Sequence, residues 1–149
     1  MDFKKALDSV EHSSFWQSLL DQGVDPSYVH VLSSLYTAQS GQILGKTLSK
    51  PFHISRGTKQ GDPLSTGIFN AVLEQAMRKL KEKWRHSRYG ICFNGEYLQN
   101  LRFADDLVLV GTTRAQVRHM LEDLVDVLRE TGLSLHPGKT KIMSNSLQR

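Results

Sequence analysis

Two carboxylates stand side by side in Phe103-Ala104-Asp105-Asp106, directly before the apolar run Leu107-Val108-Leu109-Val110. Neighbouring side chains of a regular strand point to opposite faces, so adjacent aspartates suit a turn between two strands, where both crowd one end of a sheet. At about 4 Å two such charges repel by ~4 kcal/mol at an effective dielectric of 20 unless a cation lies between them. Hard divalent ions such as Mg²⁺ take these oxygen ligands readily. The same four residues also describe an ordinary solvated β-turn, because Asp favours turns without any metal. A second segment, Arg56-Gly57-Thr58-Lys59-Gln60-Gly61-Asp62-Pro63-Leu64-Ser65, is a glycine-punctuated loop running into a helix. Its glycines let the backbone approach a ligand, and the helix N-terminus beyond offers free N–H groups. Asp62 as N-cap and Pro63 at the first helical position equally make a capped helix that binds nothing. A third segment, Asp2-Phe3-Lys4-Lys5-Ala6-Leu7-Asp8, adds two acids. Alone it is a charged start leading into a helix, with Asp8 or Ser9 as cap.

The elements that must position these groups follow from apolar periodicity. Residues 9–20 and 25–38 read as helices, the second with Tyr28, Val31, Leu32, Leu35 and Tyr36 on one face and with Asp25-Pro26 as its start. Residues 42–55 read as one or two short strands. The longest helix spans residues 63–84, with a core stripe of Phe69, Leu73, Met77, Leu80 and Trp84. Strands are expected at residues 91–93 and 97–103 around the tight-turn pair Asn94-Gly95, and again at 107–110. A helix over 113–131, with Val117, Met120, Leu121, Leu124 and Leu128 inward, ends at Gly132. The order suggests a mixed sheet covered by helices on one face.

The chain's 149 residues carry 19 Lys+Arg against 15 Asp+Glu, a net charge of +4, with 39% hydrophobic residues. One folded domain fits that length and composition, and a disordered tail or a membrane span does not. Six basic residues (Arg78, Lys79, Lys81, Lys83, Arg85, Arg88) fall within eleven positions, opposed there only by Glu82. This strip could neutralise nucleic-acid phosphates, or be the solvated face of an amphipathic helix. The six histidines lack zinc-ligand spacing. The one cysteine, Cys92, excludes an internal disulfide, agrees with a reducing compartment and reads as a small strand hydrophobe. Trp16, Trp84, Phe69 and Met77 read as core.

The three segments are followed by Gly132-Leu133-Ser134-Leu135-His136-Pro137-Gly138-Lys139-Thr140-Lys141. Taken together and in this order, the set resembles the palm of a reverse transcriptase, most closely that of the non-LTR (LINE-like) retrotransposons, over nearly the whole chain. On that resemblance the segments are motifs A, B, C and D, with Asp2 in A, Arg56 to Ser65 as B, Phe103 to Asp106 as C and Lys139 in D. The implied fold is α/β of the α+β type, a palm-like antiparallel or mixed sheet with helices packed on one face, part of a right-hand polymerase. Asp2 and Asp105 would ligate two divalent ions, Mg²⁺ or Mn²⁺, with Asp106 completing the cluster. Such an ion pair activates a primer 3′-hydroxyl and neutralises the leaving pyrophosphate. Gln60 and Gly61, with Arg56 at the start of the motif, would sit against the incoming nucleotide and template. Leu7 stands where the family places Phe or Tyr against the ribose 2′-hydroxyl, a smaller gate that weakens the steric case for dNTP over rNTP. Lys139 would be the motif D lysine, a proton donor to pyrophosphate. His136 replaces the Asn usual there. Arg78, Lys81 and Arg85 would meet nucleic acid.

The resemblance implies an RNA template, a DNA primer and dNTPs as partners, no membrane, and an intracellular location, nuclear in an active retrotransposon. Residues 1–149 are expected to form a partial reverse transcriptase domain, a palm without fingers or thumb, whose missing regions belong to a larger polyprotein. With no strand before Asp2, the motif A acid is expected to be held by few contacts. The expected activity alone is weak or absent; the alternative is a catalytically dead nucleic-acid-binding fragment or a non-functional element remnant.

Overall fold

The computed structural model describes residues 1–59 and 61–145. An extended segment, residues 1–4, enters a single helical turn, α1 (Ala6–Ser9), and then α2 (His12–Asp21). The sequence predicts one helix from residue 9, but Val10 and Glu11 interrupt it. The Val10 carbonyl accepts from Gly57 N at 2.8 Å and Glu11 N donates to Thr131 O at 3.2 Å. Main-chain groups that a continuous helix would pair internally are committed to two other segments, so the helix breaks there.

α3 (Pro26–Thr37) starts as predicted: the Asp25 carboxylate accepts from Ser27 N at 2.8 Å, with proline in the first turn. Its apolar face is buried only in part. Tyr28, Val31 and Leu35 are 69%, 56% and 63% exposed, whereas Val29 and Tyr36 are buried. The helix packs on α2 through the Val29–Tyr36 line, and among the described residues nothing covers the other apolar side. Two-residue strands β1 (Ser40–Gly41) and β2 (Phe52–His53) then pair antiparallel.

α4 (Pro63–His86) is 24 residues long, about 36 Å at 1.5 Å per residue. Asp62 caps it by accepting from Leu64 N at 2.9 Å, and Pro63 occupies the first turn. The predicted stripe of Phe69, Leu73, Met77, Leu80 and Trp84 is buried throughout, joined by Ile68, Val72 and Ala76. α4 is the axis of the core. α5 (Arg114–Arg129) lies against it, capped by the Thr113 hydroxyl, and buries Met120, Leu124 and Leu128 completely. Val117 and Leu121, also expected inward, are only half-buried.

Four strands lie between these helices. β3 (Ile91–Phe93) and β4 (Glu96–Leu98) form a hairpin closed by Asn94 and Gly95, whose φ values of 50° and 83° are the left-handed pair that a type I′ turn requires. The single strand expected over 97–103 divides at Gln99, which is buried and whose carbonyl accepts from Val110 N at 2.8 Å. Up to Leu98 the chain pairs with β3; from Asn100 it is β5 (Asn100–Phe103), paired antiparallel with β6 (Asp106–Leu109). Cys92, read as a small strand hydrophobe, lies in β3 and is exposed, as are its two neighbours there. The fold is thus α+β, with small antiparallel sheets among the helices. No helix among the described residues is long and apolar enough to cross a membrane.

Candidate active site

Phe103 pairs with Asp106, leaving Ala104 and Asp105 as the two residues of the β5–β6 turn. Ala104 sits at φ 51°, a left-handed backbone that costs a non-glycine residue about 1 kcal/mol or more. Asp105 is therefore at the tip and Asp106 opens β6, both exposed. The expected turn between two strands is what the chain forms.

The first segment docks alongside β6. Met1 and Leu107 exchange both main-chain hydrogen bonds, Leu107 N to Met1 O at 3.1 Å and Met1 N to Leu107 O at 2.8 Å, as a hydrogen-bonded antiparallel pair does. On its other side Phe3 bridges Leu135, Lys4 N donates to Ser134 O at 2.8 Å and His136 N donates to Asp2 O at 2.9 Å. Phe3 is 4% exposed and meets Phe69 of α4 edge to face at 5.8 Å. The expectation of a loosely held acid is therefore corrected. Residues 1–4 are paired on both edges and anchored by an aromatic, which fixes Asp2 between the β5–β6 hairpin and the Leu133–Lys139 stretch.

That stretch places Lys139 over Asp2. A 3₁₀ turn over Pro137–Lys139 follows His136, and the Lys139 ammonium donates to Asp2 Oδ2 at 2.7 Å. The hydrogen bond from Lys139 holds the Asp2 carboxyl below its ordinary range, with a smaller push from the charge of His136. In return Asp2 raises the Lys139 ammonium, and the field of Asp105 adds to it. Asp2, Asp105 and Lys139, more than a hundred residues apart in part, thus share one end of the sheet. Two carboxylates on separate hydrogen-bonded segments are oxygen donors of the type Mg²⁺ and Mn²⁺ accept, and the ammonium already lies where positive charge is demanded. Among the described residues no group of three or more His, Cys, Asp or Glu lies close enough to hold a metal ion. His136 Nδ1 is buried without a partner among them.

The Arg56–Ser65 loop closes on the same segment. Thr58 N and its hydroxyl both donate to Leu7 O, at 2.7 and 3.2 Å. A Cβ on Gly57 would lie 2.8 Å from Asp8 O and 2.9 Å from Asp8 Cα, and φ is +82° there, so only glycine fits. His12 Nε2 approaches Gly57 O at 2.9 Å, and Arg56 pairs with Glu11 at 2.9 Å. Leu7 is half-buried; Gly61 is exposed at φ +84°. Gln60 lies outside the described residues. Sequence reasoning passed over Thr58, whose one signal was a hydroxyl residue directly after a loop glycine.

The basic strip divides in two. Lys79 and Lys83 are committed to α5, through Glu130 at 3.0 Å and Asp123 at 2.6 Å. Asp123 also accepts from the buried Trp84 Nε1 at 2.9 Å, a structural role the sequence did not reveal. Arg78 shares Glu74 with Arg102 of β5, both at 2.8 Å. Burial alone would push the Glu74 carboxyl up, but the two guanidiniums outweigh it and hold it low. Lys81, Arg85 and Arg88 pair with no carboxylate among the described residues. A hollow of about 490 Å³, lined by Asn70, Glu74, Asn100 and Arg102 among others, separates α4 from β5.

The sequence profile of the reverse transcriptase (RNA-dependent DNA polymerase) family matches residues 1–148. The chain belongs to the reverse transcriptase family. Within it, the chain is similar to retrovirus-related Pol polyproteins of R2 retrotransposable elements. It is 34% identical over 140 residues to that of Nasonia vitripennis and 33% identical over 140 residues to that of Drosophila melanogaster, in each case 93% of this chain and 13% of the relative. It is 30% identical over 146 residues to one from Popillia japonica, 97% of this chain and 23% of the relative. The resemblance read from the four ordered segments, to reverse transcriptases of non-LTR retrotransposons, is borne out. The reverse transcriptase chain spans between about an eighth and a quarter of the length of these relatives.

Proposed function

We propose that the chain is the palm portion, motifs A to D, of an RNA-directed DNA polymerase, and that Asp2 and Asp105, with Asp106 completing the acidic cluster, would hold two divalent cations for nucleotidyl transfer once nucleotide phosphates and water supply the oxygens that the described residues do not. The observation that carries this reading is the Asp2–Lys139–Asp105 cluster, assembled from three segments at the turn end of the β5–β6 hairpin. When bound, two such cations activate a primer 3′-hydroxyl and neutralise charge on the departing pyrophosphate. The chain's own residues supply the rest. Asp2 and Asp105 hold negative charge where the cations sit; Leu7, tied to the Gly57-Thr58 loop, bears on the sugar of the incoming nucleotide. Arg56 and Gly61, with Gln60 of the same motif, would meet that nucleotide and the template strand, and the Lys139 ammonium supplies a proton to the leaving group. Arg78, Lys81 and Arg85 attract the phosphate backbone. Fingers and thumb, RNA template, DNA primer and dNTPs belong to the same proposal, as does a place within a longer polyprotein.

Primer extension by the 149-residue chain on an RNA template, with Mg²⁺ or Mn²⁺, tests it. Low but template-directed extension that Asp105→Ala abolishes is the expected result; an Asp105→Ala chain as active as the wild type sinks the mechanism. A second reading, a catalytically dead nucleic-acid-binding fragment, is favoured by Lys81, Arg85 and Arg88 having no carboxylate partner among the described residues. Primer-template binding that weakens with salt, without extension, would support it.

A further inference from the structure

Lys139 is placed so that it cannot act as a free acid while it holds Asp2. Its backbone is locked: Lys139 N donates to His136 O at 3.1 Å, Thr140 Oγ1 to the same carbonyl at 3.1 Å, and His136 N to Asp2 O at 2.9 Å. The two side chains differ in freedom. Asp2 is 25% exposed and fixed in a paired segment, whereas Lys139 is 63% exposed and free to swing outward. The acid stays and the ammonium is the partner able to leave. A divalent cation needs the carboxylate oxygen itself at about 2.0–2.6 Å, so it competes for the Oδ2 that the ammonium occupies.

We propose that Lys139 is the resident counter-ion of Asp2, holding the carboxylate in place of a divalent cation and being displaced when that cation binds. This rests on the reading of Asp2 as a metal ligand. The displacement makes the lysine available for proton donation only once the site is loaded. Until then the ion pair ties the first segment to the Leu133–Lys139 stretch.

Two measurements on the 149-residue chain test it. Mn²⁺ titration, followed by the electron paramagnetic resonance of free Mn²⁺, compares wild type, Lys139→Met and Asp2→Asn. Removing an exposed ion pair of ordinary strength should let Lys139→Met bind Mn²⁺ about two- to fivefold more tightly. Lysine acetylation read by mass spectrometry should report faster modification of Lys139 at saturating Mn²⁺, with Lys4 and Lys59 unchanged. Equal or weaker Mn²⁺ binding by Lys139→Met, or Lys139 acetylation indifferent to Mn²⁺ that binds, overturns the inference and leaves the metal reading standing. If Asp2→Asn binds Mn²⁺ as well as wild type, or none binds, the metal reading fails and takes the inference with it. The acetylation arm stands on the wild type alone should Lys139→Met not fold.

Discussion

Phe3→Ala tests whether one aromatic anchors the segment that carries Asp2. The ring is 4% exposed and packs edge to face on Phe69 at 5.8 Å. Burying an aromatic of this size contributes about 1.5–3 kcal/mol, the ring pair adds roughly 0.5–1.5, and measured buried Phe→Ala losses run to about 3–5 kcal/mol. A loss of about 3 kcal/mol is the central expectation. For a chain of this length that is a fall in Tm of about 6–12 °C. Urea melts give the free energy, and amide hydrogen exchange gives the location. Three donors report docking of the segment: Lys4 N on Ser134 O, His136 N on Asp2 O and Leu107 N on Met1 O. All three should lose protection in Phe3→Ala, before amides within α4 do. A variant within about 1 kcal/mol of wild type, with the three amides protected as before, would falsify the reasoning that the buried ring, rather than the main-chain pairing, holds the Asp2 segment in place.

Further predictions concern the junctions around the site. Gly57→Ala should cost well over 1 kcal/mol in urea, because a Cβ meets Asp8 backbone at 2.8 Å; Gly61→Ala, with nothing within 4 Å, should cost only about 1 kcal/mol for its left-handed φ. Asp123→Ala should cost about 1–3 kcal/mol by stranding the buried Trp84 N–H, whereas Lys83→Ala, on the exposed arm of the same carboxylate, should stay within about 1 kcal/mol. The Asp2–Lys139 pair sets a pH dependence. The Asp2 carboxyl is depressed, so its contribution is complete above the ordinary value of 3.8 and lost as pH falls through the depressed one. The Lys139 ammonium is raised, so its share is complete below 10.5 and lost only at still higher pH. The stability gap between wild type and Asp2→Asn should therefore be flat across neutral pH, close in strong acid and shrink in high salt. In nucleic-acid binding, Lys81→Ala and Arg85→Ala should each lower the slope of log affinity against log salt by about 1, and Lys79→Ala, already paired with Glu130, by less.

Much of the fold is written in short-range signals. Asp25-Pro26, Asp62-Pro63 and Thr113 act on main-chain groups within three residues, so three helix starts are legible without knowing what lies beyond. The same holds for Asn94-Gly95 and for the Phe103–Asp106 turn, where two positions settle the reversal. The α4 stripe was legible because a 24-residue amphipathic helix repeats its message over many turns. α3 failed the same test. Its apolar residues surround more than one side, and which side is buried depends on where α2 lies, a fact no local pattern contains.

By itself, then, the sequence determined the order of the four segments, the caps, the turns and the central stripe, because each is carried by neighbours along the chain. The tertiary structure alone decided which charges meet. Lys139 and Asp2 are 137 positions apart, and Lys83 and Asp123 are 40. Which basic residues face α5 and which face solvent, and how Asp2 is held without a long strand of its own, follow from the packing of β6, residues 1–4 and residues 133–136 side by side. Such pairings depend on the relative placement of whole elements, set by burial of Phe3, Leu107 and Leu133 in one core rather than by any residue's nearest neighbours.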